Sequence, residues 1–290
     1  MPSRVEQGRD NLPRRRKAGV PLWLWVGLGC GGGLVAVGLV IALVVGITLA
    51  RRSKGGGPNP VPAAEVGDPR IKQMPGLLAY WSFDDVQGGR AVDGSGRNNN
   101  AKLVGAGLGP GARGQGLQLD GRPEHYCDLG AGKDLNFGAN APFTFAGWYR
   151  TPLPAAVLLS LRNSRGQQQI DLIVRDNRLL VVVGDDNDPE TQNAFVWSKR
   201  PNDGQWHHFA FTRRRNTVEL FQDGVSQGTG MAVCSGGPIT TDHRALGCER
   251  MWVENNVRRW GNPAFEGGLD EVCVFNRALA PAEIQALMER

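Results

Sequence analysis

Apolar positions along the chain follow two rules. Residues 18–50, AGVPLWLWVGLGCGGGLVAVGLVIALVVGITLA, carry no charge, and about 20 apolar residues suffice to cross a bilayer core. A backbone in hydrocarbon must satisfy its own hydrogen bonds, so this run predicts a transmembrane helix. From residue 76 onward the apolar runs are short: LLAYWSF, LQL, YCDL, FTFAGWY, VLLSLR, QIDLIV, LLVVV, WHHFAFT, TVELFQ and LDEVCVF. Each is bounded by Gly, Asn, Asp or Pro, the pattern of strands in a sandwich or barrel. Asp223-Gly224 and Asp176-Asn177 fall between such runs and predict tight hairpin turns, because these residues tolerate positive φ. Only the last ten residues read as helix: Pro281 suits a first helical position, and Ile284, Leu287 and Met288 make one apolar face. The expected object is an all-β antiparallel sandwich with a short C-terminal helix, preceded by one membrane-spanning helix.

The apolar run is far longer than the 7–15 residues of a cleavable signal peptide. Trp23 and Trp25 lie at one end of it, Arg14, Arg15, Arg16 and Lys17 precede it, and Arg51-Arg52 follow it. Interfacial indoles and flanking cations suit a span with residues 1–17 as a short cytoplasmic tail. Residues 51–75 hold Gly55-Gly56-Gly57 and five prolines, the composition of a semi-extended linker. Residues 76–290 remain, enough for one substantial core. This organisation places a single-pass protein in the cell membrane with its C-terminal domain outside the cytoplasm.

Charge divides along the same boundary. Residues 1–54 contain nine Lys/Arg against Glu6 and Asp10, net +7, which leaves 24 basic and 26 acidic groups, net −2, in residues 55–290. The basic balance belongs to the membrane flanks, and the large domain has no bulk charge to attract nucleic acid. Beyond Cys30 in the span, four cysteines remain: Cys127, Cys234, Cys248 and Cys273. An even count suits an oxidising exterior, the alternative being four reduced buried thiols. Four cysteines allow three pairings. Cys234–Cys248 is favoured because a clip there would organise the Gly/Pro/Thr loop between them, leaving Cys127–Cys273. No Cys-x2–4-Cys spacing suggests zinc.

The strand texts, in order, resemble the laminin-G-like, concanavalin A-like jelly-roll family over nearly all of residues 76–290. The resemblance rests on GLLAYWSFDD, the loop Asp93-Gly94-Ser95-Gly96, AKLVG, GQGLQLDG, YCDLG, APFTFAGWYR, GQWHHFAFTR, TVELFQDG and the closing GGLDEVCVFNRALAPAEIQAL. The chain departs from the family at Cys127 and Cys273, and at Ala280, where a Ser or Thr often caps the last helix. Relatives include glucanases, and the resemblance to them would imply a Glu-x-Asp-x-x-Glu strand, which is absent. Asp270 and Glu271 are adjacent, and strand alternation would point them to opposite faces. The same alternation separates His207 from His208, and GQWHHFAFTR reads as a structural motif. The expectation is a non-enzyme.

The resemblance also implies calcium at the sandwich rim, which needs hard oxygen donors. Candidate donors are Asp84 and Asp270, from the opening and closing strands, and Asp186 and Asp188 in the acidic loop 184–190. For a sugar, Trp252 and Trp260 lie in one polar segment with Asn255, Asn256 and Arg258, and aromatic faces flanked by amide and guanidinium donors make a workable platform. Arg213-Arg214-Arg215 leads into a hairpin turn and reads as solvated, the alternative being contact with an anionic glycan or a phosphate headgroup. The leading functional expectation is a membrane-anchored, non-catalytic module recognising a glycan or glycoprotein. A protein–protein or structural module of the cell envelope competes with it, and a glycoside hydrolase is the remote third reading.

Overall fold

The expected strands form two antiparallel sheets that face each other. The computed structural model describes residues 67–289 except 164, 166, 188–195, 199–201, 232–235, 250–252, 255–256 and 259–262. The expected tail, membrane helix and most of the linker therefore lie outside the described residues. Among the described residues no helix is long and apolar enough to cross a membrane.

The first sheet has eight strands in the order Val225–Met231, Thr217–Gln222, His207–Arg214, Phe143–Arg150, Glu266–Phe275, Gln115–Asp120 and Gly107–Pro110, with Leu77–Trp81 also pairing with Glu266–Phe275. The second runs Val196–Trp197, Arg178–Val183, Gln168–Arg175, Ala156–Arg162, His243–Leu246, Tyr126–Asp128, Ala101–Val104, Arg90–Ala91 and Val86–Gln87. Alternation sends Phe143, Phe145, Tyr149, Phe209 and Phe211 inward to meet Leu158, Leu161, Leu172 and Val181 of the second sheet. Phe145 stacks on Phe211 at 5.2 Å between centroids, and Trp81 is completely buried. Aromatic burial of this kind dominates the energetics of a sandwich core. Both expected hairpin turns hold: Asp223 and Gly224 lie at φ 50° and 72°, Asp176 and Asn177 at 52° and 59°.

The outer face of the first sheet is covered too. Tyr80, Ala146, Ala210, Phe221, Cys273 and Phe275 pack beneath Ile71, Leu279, Ile284 and Leu287. Ile71 belongs to a five-residue helix, Pro69–Gln73, inside the stretch read above as linker. Asp68 caps it by accepting from the Arg70 amide at 2.9 Å, and Pro69 occupies the first turn. This capping chemistry overrides the Pro-rich composition once a sheet face is available to bury Ile71. The last helix, Pro281–Ala286, has Ala280 at its cap, and Glu283 compensates by accepting the Ala280 amide at 2.8 Å.

Two sequence expectations are corrected. Cys127 and Cys273 do not form a disulfide: both are free, Cys127 between the sheets and Cys273 in the cluster on the outer face of the first sheet. A sheet thus separates the two sulfurs, while a disulfide needs Cα atoms within about 7 Å. Cys248 is buried, and its expected partner Cys234 lies outside the described residues. Arg213 is not solvated but fully buried, with its guanidinium over the Phe143 ring and Nε donating to the Arg215 carbonyl at 2.9 Å.

Candidate functional site

The opening strand Leu77–Trp81 pairs with the end of the closing strand Glu266–Phe275, from Val272 to Phe275, which brings residues nearly two hundred positions apart into one cluster. The closing strand is not regular there. Glu271 sits at φ 51°, and the register against Phe143–Arg150 shifts between Asp270 and Cys273. Such a bulge breaks the side-chain alternation of a strand. As a result Asp270 and Glu271, expected on opposite faces, both end at Arg113. Asp270 Oδ2 accepts the Arg113 amide at 2.9 Å, and Glu271 Oε2 lies 3.7 Å from Arg113 Nη1.

Other groups complete the arrangement. Glu271 Oε2 accepts the Tyr80 hydroxyl at 2.5 Å, and that hydroxyl accepts the Asp68 amide at 2.7 Å. Arg113 Nη1 donates to Asp68 Oδ2 at 2.8 Å, and Nη2 to the carbonyls of Leu287 and Glu289 at 2.9 and 2.5 Å. Asp84 Oδ1 accepts the Gln115 amide at 2.8 Å. The carboxylates of Asp84 and Asp270 thus staple the turn around Arg113, where Gly114, at φ 49°, has no room for a Cβ beside Asp84. Above the cluster opens a cleft of about 710 Å³, with Asp68, Arg70, Asp84, Arg113 and Glu271 in its walls.

Burial dominates the electrostatics. It pushes Asp270 up to about 8, against the two backbone amides it accepts, and Glu271 up to about 7, against the Tyr80 hydrogen bond and the Arg113 charge. Asp68 moves the other way: its partial burial is outweighed by hydrogen bonds and charge from Arg70 and by Arg113.

Of the sequence-predicted residues, Asp84 and Asp270 meet in this cluster. Asp186 lies elsewhere, its Oδ1 accepting the Thr240 amide at 3.3 Å. Asp188, Trp252, Asn255, Asn256 and Trp260 lie outside the described residues. Arg258 falls on the strand Val257–Arg258, which pairs with Val253–Glu254 in a separate two-stranded hairpin. Among the described residues no group of three His, Cys, Asp or Glu side chains is placed to hold a metal ion.

The paired histidines form a different device. His207 Nδ1 meets Asp223 Oδ2 at 2.8 Å and Nε2 meets Asp203 Oδ1 at 3.0 Å. The bond to Asp223 foremost, then that to Asp203, lifts His207 to about 9 despite partial burial. His208 is buried against Trp148, and that burial drives it down to about 3. A raised histidine stabilises the fold fully below its ordinary value near 6.5 and loses that contribution as pH rises through about 9. His207→Gln is therefore expected to lower stability by about 2 kcal/mol at pH 6. The gap should close by pH 10, as read by urea unfolding at both pH values.

Residues 121–285, more than half of the chain, match the concanavalin A-like lectin/glucanases superfamily. The chain belongs to this superfamily. No curated protein matches it in sequence. Among solved structures it is similar to the binding domain of Paraclostridial Mosquitocidal Protein 1, with 16% identity over 75% of this chain and 52% of that one and a TM-score of 0.58. It is also similar to botulinum neurotoxin type C, whose cell entry depends on interaction with two ganglioside molecules, at 13% identity, 76% and 51% coverage and a TM-score of 0.56. A mutant Trypanosoma rangeli sialidase with trans-sialidase activity matches at 15% identity, 74% and 34% coverage and 0.54. The chain spans about half the length of the two toxin structures, and likeness at these identities establishes the shared fold. Within this concanavalin A-like frame, Asp68, Tyr80, Arg113 and Glu271 are the site residues that sequence reasoning missed. For Glu271 the one signal was the pair of adjacent acids in an otherwise apolar closing strand.

Proposed function

We propose that the chain is a single-pass membrane protein whose concanavalin A-like domain is a non-catalytic module that recognises carbohydrate. The observation that carries this reading is the open cleft of about 710 Å³ with charged, hydrogen-bonding side chains on its walls. Its size falls in the range of small-ligand sites, and a few convergent polar groups are what orient a polyol. The carboxyl groups favour binding over hydrolysis. Asp270 is fully buried and accepts backbone amides on both oxygens, while Asp68 is tied to two arginines. Each thus holds the chain in place. The same fold occurs in the binding domain of the mosquitocidal protein and in the botulinum neurotoxin that enters cells through two gangliosides, which is consistent with this reading.

Residues 18–50 provide the membrane span, and the segment 250–262, with Trp252 and Trp260, is a second candidate sugar surface. The test is a glycan array probed with the full chain in a non-glycosidic detergent, with calcium and with EDTA. Binding of at least one glycan class is expected. Its loss in Asp84→Asn assigns the cleft, and its loss in the Trp252→Ala/Trp260→Ala double variant assigns the second surface. Sensitivity to EDTA would bring in calcium. A cooperatively folded protein that binds no glycan overturns the reading in favour of a protein-contact or structural role.

A further inference from the structure

The basic triplet Arg213-Arg214-Arg215 divides its roles at the turn between the strands His207–Arg214 and Thr217–Gln222. Arg213 is fully buried, and its Nε donates to the Arg215 carbonyl at 2.9 Å. Arg215 sits at φ 51°, a left-handed conformation that costs a residue with a side chain and is held here by that bond. The shape of the tip is thereby fixed, and Arg214, Arg215 and Asn216 stand exposed on it. With Asn140 and Thr217 they line a depression of about 550 Å³. Asn140 is pinned in turn, its amide donating to the Gly236 carbonyl at 2.9 Å. The lining offers two guanidinium groups, two carboxamides and a hydroxyl, and no carboxylate. That reverses the sign of residues 55–290, which are net −2. Arg70, Arg97 and Arg122, also at the surface, each hold a carboxylate, at 2.7, 3.2 and 3.6 Å. Among the described residues neither Arg214 nor Arg215 forms an ion pair. Arg214 makes one long bond, to the Ala278 carbonyl at 3.4 Å, and the carboxylate on which its charge acts, Glu283, is already held by Arg277 through both oxygens at 2.8 Å.

We infer that this depression takes the sulfate or carboxylate group of an acidic glycan. The glycan rests on the carbohydrate reading above, and the negative charge rests on the tip alone. Guanidinium groups present paired N–H donors that match an oxyanion and strengthen when the acceptor is charged. The carboxamides of Asn140 and Asn216 both donate and accept, which suits the hydroxyls of the ring that carries the anion. The volume leaves room for that ring beside the charged group. A nucleic acid is a poorer fit, since no aromatic side chain lines the depression for a base to stack on.

The test is calorimetric titration of the full chain in a non-glycosidic detergent. The ligands are lactose sulfate, sialyllactose, lactose and glycerophosphoglycerol, the headgroup of an anionic lipid. At least one of the two acidic glycans is expected to bind about 10-fold or more tightly than lactose, because it adds charged hydrogen bonds that lactose lacks. Arg214→Gln/Arg215→Gln should abolish that preference and leave cooperative unfolding unchanged, since both side chains are exposed. The double variant keeps the basic flanks within residues 1–54, so a preference that persists in it arises elsewhere and overturns the assignment. Equal affinity for the acidic glycans and lactose overturns the anion site and leaves the carbohydrate reading standing. Failure of all four ligands to bind also overturns the anion site, and the glycan array then decides the carbohydrate reading separately. Glycerophosphoglycerol bound as tightly as the acidic glycans, and lost with them in the double variant, assigns the tip to a lipid headgroup and overturns the glycan.

Discussion

Asp93→Asn, an isosteric change, is expected to destabilise the domain by about 3 kcal/mol. Asp93 is 6% exposed and accepts four hydrogen bonds: Oδ1 from the amides of Tyr80 and Ser95 at 3.0 and 2.9 Å, and Oδ2 from the Ser95 hydroxyl and the Asn99 amide at 2.7 and 2.9 Å. Asparagine would turn an NH₂ group toward two of those donors and leave them unpaired in a buried site. The loss would spread, because the same loop carries the Asn99 backbone carbonyl that accepts Trp81 Nε1 at 2.7 Å and the Asn99 side-chain Nδ2 that donates to the Leu78 carbonyl at 2.8 Å. The Asp-Gly-Ser-Gly loop of the family pattern is thereby a carboxylate-centred clamp on the opening strand. Urea unfolding should show a lower midpoint with an unchanged slope, and a midpoint within error of wild type would refute the clamp.

Arg113→Leu is expected to cost a similar amount, about 3 kcal/mol, at pH 8.5 and clearly less at pH 5. The guanidinium is the cation beside Glu271 and also holds Asp68 and the carbonyls of Leu287 and Glu289. The sign follows from the raised carboxyls. The folded state keeps protons on Asp270 and Glu271 up to about 8 and about 7, whereas the unfolded chain releases them near 4. The native state binds more protons across that window, so wild-type stability already falls as pH rises through it. Without Arg113 the fall should steepen, because the ionised forms lose their neighbouring positive charge. Thermal unfolding from pH 5 to 9 reads this directly, and a pH-independent loss would show that Arg113 acts only through packing.

Much of the fold is legible because it is written in local pattern. The two hairpin turns, the alternating strands and the last helix each need only neighbouring residues to specify them. The cleft is a product of topology: Asp68, Tyr80, Arg113 and Glu271 meet because the opening and closing strands pair, and no local window contains two of these encounters. The period-two rule failed at Asp270-Glu271 for a definite reason, since one residue at φ 51° re-aims a side chain without changing the strand text. Arg213 misled similarly. A charge in a basic triplet reads as solvated, but its place in the strand His207–Arg214 fixes which way it points, and that direction is inward against Phe143. The helix at Pro69–Gln73 was hidden by linker composition, since its stability comes from the sheet face that receives Ile71.

The central claim, a carbohydrate-recognising module, is tested most directly by the wild-type arm of the glycan array, with the full chain in a non-glycosidic detergent. Saturable binding to a restricted set of glycans, lost in Asp84→Asn, is the predicted result. Absence of binding across the array, from protein that unfolds cooperatively, would contradict it.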